Sequence, residues 1–147
     1  MPLPSTQPAR PTPTRRGSAM PPPDPSFPAP APVLDLDHLR LTFGALDADT
    51  VAMMDFFLET TAPALAQARA ALTAGDADTA RAAAHSAAGA ARTAGARALA
   101  VHCAALETAL VARRPAEAEH HAQALEPAFQ AVKDAIGDLR RAVEAAS

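Results

Sequence analysis

Residues 125–143 read LEPAFQAVKDAIGDLRRAV, and their large apolar side chains recur at alternating steps of four and three residues. That spacing returns to one face of an α-helix, so it predicts an amphipathic helix with one buried stripe. The stripe consists of Leu125, Phe129, Val132, Ile136, Leu139 and Val143. Pro115 and the acidic Glu117 behind it are typical of a first helical turn and mark the start of this helix. We expect Pro127 to kink its early part.

The segments before this helix are also helical in pattern. Two aspartates stand at the start of each of the first three helices, and either aspartate can cap its helix. The pairs are Asp35 and Asp37, Asp47 and Asp49, and Asp76 and Asp78. We expect a short leading helix, a long second helix over about residues 50–73 that Pro63 kinks, and a third helix that ends near residue 94. Gly75 and Gly95 are the expected stops. A fourth helix carries the stripe Leu99, Cys103, Leu106 and Leu110.

Short connections make sequential helices antiparallel neighbours. The sequence therefore predicts an all-α fold, an up-down antiparallel four-helix bundle with a short leading helix. The composition agrees, because 41 of the 147 residues are Ala, whereas Trp and Tyr are absent and Phe occurs five times. Alanine is the best helix former, and sheets need the bulky side chains that are scarce here.

The proline distribution predicts where the folded domain begins. Twelve of the fifteen prolines lie within residues 1–32, and proline lacks an amide donor and fixes φ. We therefore expect residues 1–33 to form a disordered, proline-rich tail and residues 34–147 to form the bundle. Such a tail is either a solvated leader or a ligand for a proline-reading domain.

Charge and cysteine content exclude several classes of function. The net charge is −3, and residues 34–147 hold 10 basic and 15 acidic side chains. This excess of negative charge disfavours binding to the phosphate backbone of a nucleic acid. The single Cys103 excludes an internal disulfide and a cysteine-based zinc site. No apolar run approaches the ~20 residues of a membrane span, and no signal peptide is evident. We expect a cytoplasmic monomer with no nucleic-acid or membrane partner.

The third helix does not look like an ordinary bundle helix. Between Thr73 and Ala98 there is no Leu, Ile, Val, Met or Phe. His85 stands in the middle of this small-residue stretch. Helical spacing places it in one strip with three residues at i−4, i+4 and i+7, namely Arg81, Gly89 and Arg92.

This strip suits a nucleophilic imidazole that meets another protein. Glycine inside a helix costs ~1 kcal/mol relative to alanine, so Gly89 needs a reason, and a bare backbone beside His85 lets a partner surface approach the ring. A neutral imidazole is a nucleophile near neutral pH. Arginines beside it can hold a phosphoryl group by charge-assisted hydrogen bonds. From periodicity alone, His85 could equally be a surface or core residue with no functional role.

Residues 85–107 carry a more specific pattern. They read HSAAGAARTAGARALAVHCAALE. This resembles the histidine-containing phosphotransfer (HPt) domain, whose pattern is H-x-L-K-G-x-S/A-x-x-x-G-A-x-x-L followed by x-x-x-C-x-x-L-E. The residues at the family spacing are His85, Gly89, Ala91, Gly95, Ala96, Leu99, Cys103, Leu106 and Glu107. The resemblance covers roughly residues 34–145.

The resemblance implies a phosphoryl carrier in a multistep two-component relay. His85 would take the phosphoryl group from a receiver-domain aspartyl phosphate and pass it to another receiver, so the chain would not be an autonomous enzyme. Its partners would be response-regulator receiver domains and a hybrid histidine kinase. It would need no cofactor or metal of its own, because the Mg²⁺ would belong to the receiver. The phosphoryl-supporting and docking residues would be Arg81, Ala84, Ser86, Ala88, Gly89 and Arg92.

Two positions depart from the family pattern. Ala87 replaces the usual Leu, which packs into the core, and we expect neighbouring side chains to compensate. Ala88 replaces the usual Lys, which lies near the phosphoryl group. The positive charge of that lysine is therefore missing, and we expect Arg92, with Arg81, to supply it.

The remaining reactive residue types are interpreted as structural. Cys103 lies on the apolar stripe of the fourth helix and is expected to be a small core residue. The adjacent His102 and Cys103 could suggest a metal or redox site, but the core position of Cys103 is the preferred interpretation. His120 and His121 are adjacent, so they point about 100° apart on a helix and cannot form an i, i+4 metal pair. We expect them to be surface residues.

Two other functions compete with the carrier. The first is a non-phosphorylated bundle that docks a response regulator or kinase, which the replacement of lysine by Ala88 suggests. The second is a helical adaptor whose activity lies in the proline-rich tail. Binding that survives His85→Gln without transfer would indicate the first, and loss of binding on deletion of residues 1–33 would indicate the second.

Overall fold

A computed structural model of the chain describes residue 4 and residues 31–147. In this part of the chain there are five α-helices and no strand. The helices are α1 (Leu36–Phe43), α2 (Ala48–Thr73), α3 (Ala77–Ala94), α4 (Arg97–Val111) and α5 (Pro115–Ala146). None of the described helices has the length and apolar character that crossing a membrane requires. The predicted tail, residues 1–33, lies almost wholly outside the described residues.

The four long helices pack as a closed ring. α2 packs against α3, α3 against α4 and α4 against α5, and α5 returns to pack against α2. Connections of two or three residues join the consecutive members, so each long helix must reverse direction relative to the one before it. The arrangement is consistent with the predicted helical bundle.

Side-chain caps begin the first three helices, and in each case the structure selects the earlier of the two candidate aspartates. Asp35, Asp47 and Asp76 accept a hydrogen bond from the backbone amide three residues further on. Thr50 completes a capping box at the start of α2, because its hydroxyl lies within hydrogen-bonding distance of the Asp47 amide. The hydrogen bonds that Thr79 donates lower the pKa of Asp76 below its usual value.

The core lies between one alanine-rich helix and three helices that carry large side chains. The predicted stripe of α5 is buried from Leu125 to Leu139, and Val143 is partly buried against the same core. Leu99, Cys103 and Leu106 of α4 are fully buried. The buried residues of α3 are all alanines, seven in number. Both α2 and α5 continue as single helices through Pro63 and Pro127.

α1 lies outside the ring and is tied to the turn between α3 and α4. The Asp35 amide donates to the Gly95 carbonyl over 2.8 Å, and the Ala98 amide donates to the Pro32 carbonyl over 3.0 Å. His38 Nε2 lies 2.9 Å from the Thr93 carbonyl, and Arg97 Nε donates to Asp35 over 2.6 Å. This Arg97 hydrogen bond is the largest reason that the pKa of Asp35 is lowered.

Candidate functional site

The site begins with the way α3 packs. Because its buried side chains are alanines, the backbone of α3 lies close to α2 and α4, and each buried methyl contributes little apolar area. Ala87, at the position where a leucine was the family expectation, is 1% exposed and belongs to this inner face. Large side chains of neighbouring helices, including the buried Phe57 of α2, fill the core instead. Phe56, the residue before it, is 59% exposed and does not fill this space.

His85 lies on the outer face of α3, and its side chain is 72% exposed. One ring nitrogen is held by the bundle: Nδ1 lies 3.0 and 3.1 Å from the two carboxylate oxygens of Glu107 on α4. Within residues 31–147, Nε2 has no hydrogen-bond partner. The imidazole is therefore anchored on one side and open to solvent on the other.

Glu107 determines what the ring can do. A carboxylate accepts hydrogen bonds, so the proton of the neutral imidazole resides on Nδ1 and the lone pair is left on Nε2. The Glu107 side chain is only 25% exposed, so it holds the ring with little competition from water. The arrangement presents a nucleophilic nitrogen in a fixed orientation at the surface of the bundle.

The predicted strip on α3 is present. Arg81, Gly89 and Arg92 are all exposed on the helix that carries His85, and so is Ser86. A Cβ added to Gly89 would meet nothing within 4 Å, so packing inside the bundle does not require glycine there. This open space beside His85 leaves room for an approaching surface.

Two of the predicted docking residues are not at the surface. Ala84 and Ala88 are each 1% exposed, so the prediction that they contribute to an exposed docking surface is wrong. The physical reason is the orientation of α3. Its exposed arc is centred near Gly89 rather than at His85, and this rotation turns Ala84 and Ala88 towards the core.

Sequence reasoning missed the role of Glu107. The residue was recognised only as the last position of the motif, and its separation of 22 residues from His85 spans a helix turn. The available signal was the two-residue connection between α3 and α4, which brings positions about equally distant from the turn to the same level. Which positions of α3 and α4 face each other also depends on the rotation of each helix about its axis. The sequence of an alanine-rich helix does not reveal this rotation.

Cys103 behaves as the sequence indicated. It is fully buried, and this burial raises the pKa of its thiol to about 11, while the positive charge of Arg92 opposes the rise. A thiol with so little thiolate is neither a nucleophile nor a metal ligand at neutral pH.

The remaining histidines are arranged differently from the prediction. His120 is exposed, as expected, but His121 is half-buried and faces His102 across the seam between α4 and α5. Their Nδ1 atoms are 3.3 Å apart. Burial, followed by repulsion from His121 and His120, lowers the pKa of His102.

Comparisons with known proteins agree with the geometry of the site. A family model described as the Hpt domain matches residues 52–142, which is more than half of the chain and includes α3, α4 and nearly all of α2. No curated protein and no solved structure matches the chain.

Proposed function

Because the chain belongs to the Hpt domain family, whose members carry phosphoryl groups in two-component phosphorelays, we propose that Nε2 of His85 is its phosphoryl acceptor. The donor is the aspartyl phosphate of a receiver domain, and a second receiver takes the group onward. One observation carries this proposal: the His85 ring is 72% exposed while its Nδ1 is held by Glu107.

The transfer exchanges one bond to phosphorus for another. The Nε2 lone pair of His85 forms the new bond to phosphorus as the bond between phosphorus and the receiver's aspartyl oxygen breaks, and the aspartate leaves as a carboxylate. The Nδ1 proton stays in place, so the phosphorylated ring carries a positive charge. The Glu107 carboxylate lies 3.0 Å from Nδ1 and stabilises that charge as it develops.

Two arginines on α3 flank the acceptor. Arg81 lies one turn before His85 and Arg92 lies two turns after it, and both are exposed. Guanidinium groups bind phosphoryl oxygens through charge-assisted hydrogen bonds, so these residues take the supporting role of the lysine that Ala88 replaces. Ser86 and Gly89 complete the docking surface, and Gly89 gives the receiver clearance beside the ring.

Members of the family interact with receiver domains and kinases, and we assign a hybrid histidine kinase as the upstream source. The chain acts as a cytoplasmic monomer that carries the group without catalysing its formation. It uses no cofactor of its own, and the Mg²⁺ that neutralises the transferring group is bound by the receiver.

A transfer assay with a matched control variant tests the proposal. A receiver domain phosphorylated with a radioactive label is mixed with the wild-type chain, with His85→Gln, and with His120→Gln, which removes another exposed histidine. We expect an acid-labile, alkali-stable label on the wild type and on His120→Gln, and none on His85→Gln. A label that persists in His85→Gln would overturn the proposal. Binding of the receiver without transfer to any variant would establish the docking bundle instead.

A further inference from the structure

The Glu107 carboxylate contacts only one of the two nitrogens of the His85 ring. Its oxygens lie 3.0 and 3.1 Å from Nδ1. Before phosphorylation the neutral ring carries one proton, and the carboxylate favours its position on Nδ1. Phosphorus on Nε2 removes that choice of tautomer. The ring then either keeps the Nδ1 proton and is a cation, or loses it and leaves Nδ1 bare.

A bare Nδ1 is poorly matched to the Glu107 carboxylate. The two groups would present lone pairs to each other over 3.0 Å with no proton between them. A protonated Nδ1 instead donates a hydrogen bond in which both partners are charged, and such hydrogen bonds are the stronger kind. The Glu107 side chain is only partly exposed, so water screens this contact less than it screens an exposed ion pair. The contact therefore favours the cationic form of the phosphorylated ring.

The Nδ1 proton decides whether the phosphoryl group can leave. When the bond between phosphorus and Nε2 breaks, its electron pair returns to Nε2, and a ring that holds the Nδ1 proton departs as a neutral imidazole. A ring with a bare Nδ1 would depart as an anion, which is a much poorer leaving group. The same holds for attack by a receiver carboxylate and for attack by water, which loses a proton to solvent and forms inorganic phosphate.

From this geometry we propose that Glu107 keeps the phosphorylated His85 ring protonated on Nδ1 above neutral pH, and so widens the pH range in which the chain can donate its phosphoryl group. This inference rests on the proposed function and concerns the regulation of the same site. Glu107 acts as a positioning residue, because its contact is with Nδ1 and not with the nitrogen that bonds to phosphorus.

The other charged groups near the ring do not produce this effect. Three of them share the exposed strip of α3 with the ring, namely Asp78, Arg81 and Arg92. The two arginines oppose a further positive charge. Where α2 lines the groove beside Ser86, it contributes Ala64 and Gln67, neither of which titrates. On α4, burial raises the pKa of the Cys103 thiol to about 11, so this group is neutral. Within residues 31–147, the carboxylate that contacts the ring is that of Glu107.

Hydrolysis of the phosphorylated chain at different pH values tests the proposal without a receiver. Phosphoramidate, a small phosphoryl donor, phosphorylates the full chain, and ³¹P nuclear magnetic resonance follows the loss of phosphohistidine between pH 6 and pH 9. The test variant is Glu107→Gln, whose amide accepts a hydrogen bond from a protonated Nδ1 or donates one to a bare Nδ1. The matched control is Asp78→Asn, which removes a carboxylate from the exposed strip of α3.

In each protein the hydrolysis rate should fall as the pH rises and Nδ1 loses its proton. The charged hydrogen bond favours the protonated ring about tenfold more than a neutral one does. The fall should therefore occur about one pH unit higher in the wild type and in Asp78→Asn than in Glu107→Gln. Above both midpoints the wild type should lose its phosphoryl group about tenfold faster than Glu107→Gln. Coincident profiles for these two proteins would overturn the proposal.

A second measurement guards against a variant that folds poorly. Wild-type chain phosphorylated in the same way and then unfolded in urea no longer holds Glu107 beside His85, so its pH profile should match that of Glu107→Gln. Identical profiles for the folded and the unfolded wild type would also overturn the proposal. If neither phosphoramidate nor a phosphorylated receiver labels His85, the proposed function itself fails, and the role of Glu107 fails with it.

Discussion

The contact between Glu107 of α4 and His85 of α3 fixes the orientation of the imidazole that we propose as the phosphoryl acceptor. The carboxylate orients the ring and favours the proton on Nδ1, and in the proposed transfer it would stabilise the positive charge that phosphorylation creates. These effects can be separated by substitution. The amide oxygen of Glu107→Gln still accepts the hydrogen bond from Nδ1 but carries no charge, whereas the methyl group of Glu107→Ala neither accepts a hydrogen bond nor carries a charge.

Two substitutions of Glu107, one mild and one severe, should therefore slow phosphoryl transfer to different extents. A charged hydrogen bond is worth about 1–1.5 kcal/mol more than a neutral one, so Glu107→Gln should slow transfer about tenfold. Glu107→Ala also releases the ring and should slow transfer further. Rapid-quench measurement of transfer from a phosphorylated receiver checks the order of the three rates. Equal rates for the wild type and Glu107→Ala would show that the carboxylate has no role.

Single residues differ in how well the sequence predicts their place in the site. His85 and Cys103 were recognised from their positions in a spaced pattern, and the structure places one outside and the other in the core. Ala84 and Ala88 were assigned to the wrong side. A leucine marks the buried face of a helix because only one orientation hides it, whereas alanine is tolerated on either face.

Among the helices, α3 is the element that sets the shape of the site. Its seven buried alanines allow close approach to both neighbours, and its outer face carries the strip around His85. The bounds of the five helices followed closely from apolar spacing, caps and glycine stops. The rotation of α3, the docking of α1 on the Gly95 turn and the pairing of His102 with His121 did not, because they depend on contacts between distant segments.

Close packing of α3 predicts that enlarging its inner face is costly. Ala91 is fully buried, and Ala82 is exposed on the same helix. Ala91→Leu should lower the free energy of unfolding by about 1–3 kcal/mol through overpacking, whereas Ala82→Leu should change it by less than about 0.5 kcal/mol. Urea unfolding measures both. Equal effects of the two substitutions would show that α3 does not pack as described.

Two glycine turns give a matched test of the contact between α1 and the bundle. Gly75 and Gly95 both have a φ of +76°, but a Cβ at Gly75 meets nothing, whereas one at Gly95 lies 3.1 Å from the His38 ring and 3.3 Å from the Asp35 carbonyl. Gly75→Ala should cost about 1–2 kcal/mol for the left-handed backbone alone. Gly95→Ala should cost more, because α1 must also move. Urea unfolding of the pair checks this, and a smaller cost at Gly95 would contradict the contact.

We expect the stability of the bundle to depend on pH through His102, on the seam between α4 and α5. Because the pKa of His102 is lowered in the folded chain, the unfolded chain binds this proton more readily once the pH falls below about 6.5. Above that value both states are neutral at His102 and no stability is lost. As the pH falls further, the free energy of unfolding should decrease.

Removal of the titrating group should flatten this dependence. His102→Gln should lose less of its free energy of unfolding between pH 7.5 and pH 5 than the wild type does. Urea unfolding at several pH values provides the comparison. Parallel pH profiles for the two proteins would show that His102 does not contribute to acid destabilisation.

We propose that this molecule receives a phosphoryl group on the solvent-facing nitrogen of one histidine. The measurement is nuclear magnetic resonance of the ¹⁵N-labelled chain after reaction with a phosphorylated receiver domain, which distinguishes the two ring nitrogens of each histidine. We expect one phosphohistidine, at His85, with phosphorus on Nε2 and the proton retained on Nδ1. Phosphorus on Nδ1 of His85, or on any other residue, would contradict it.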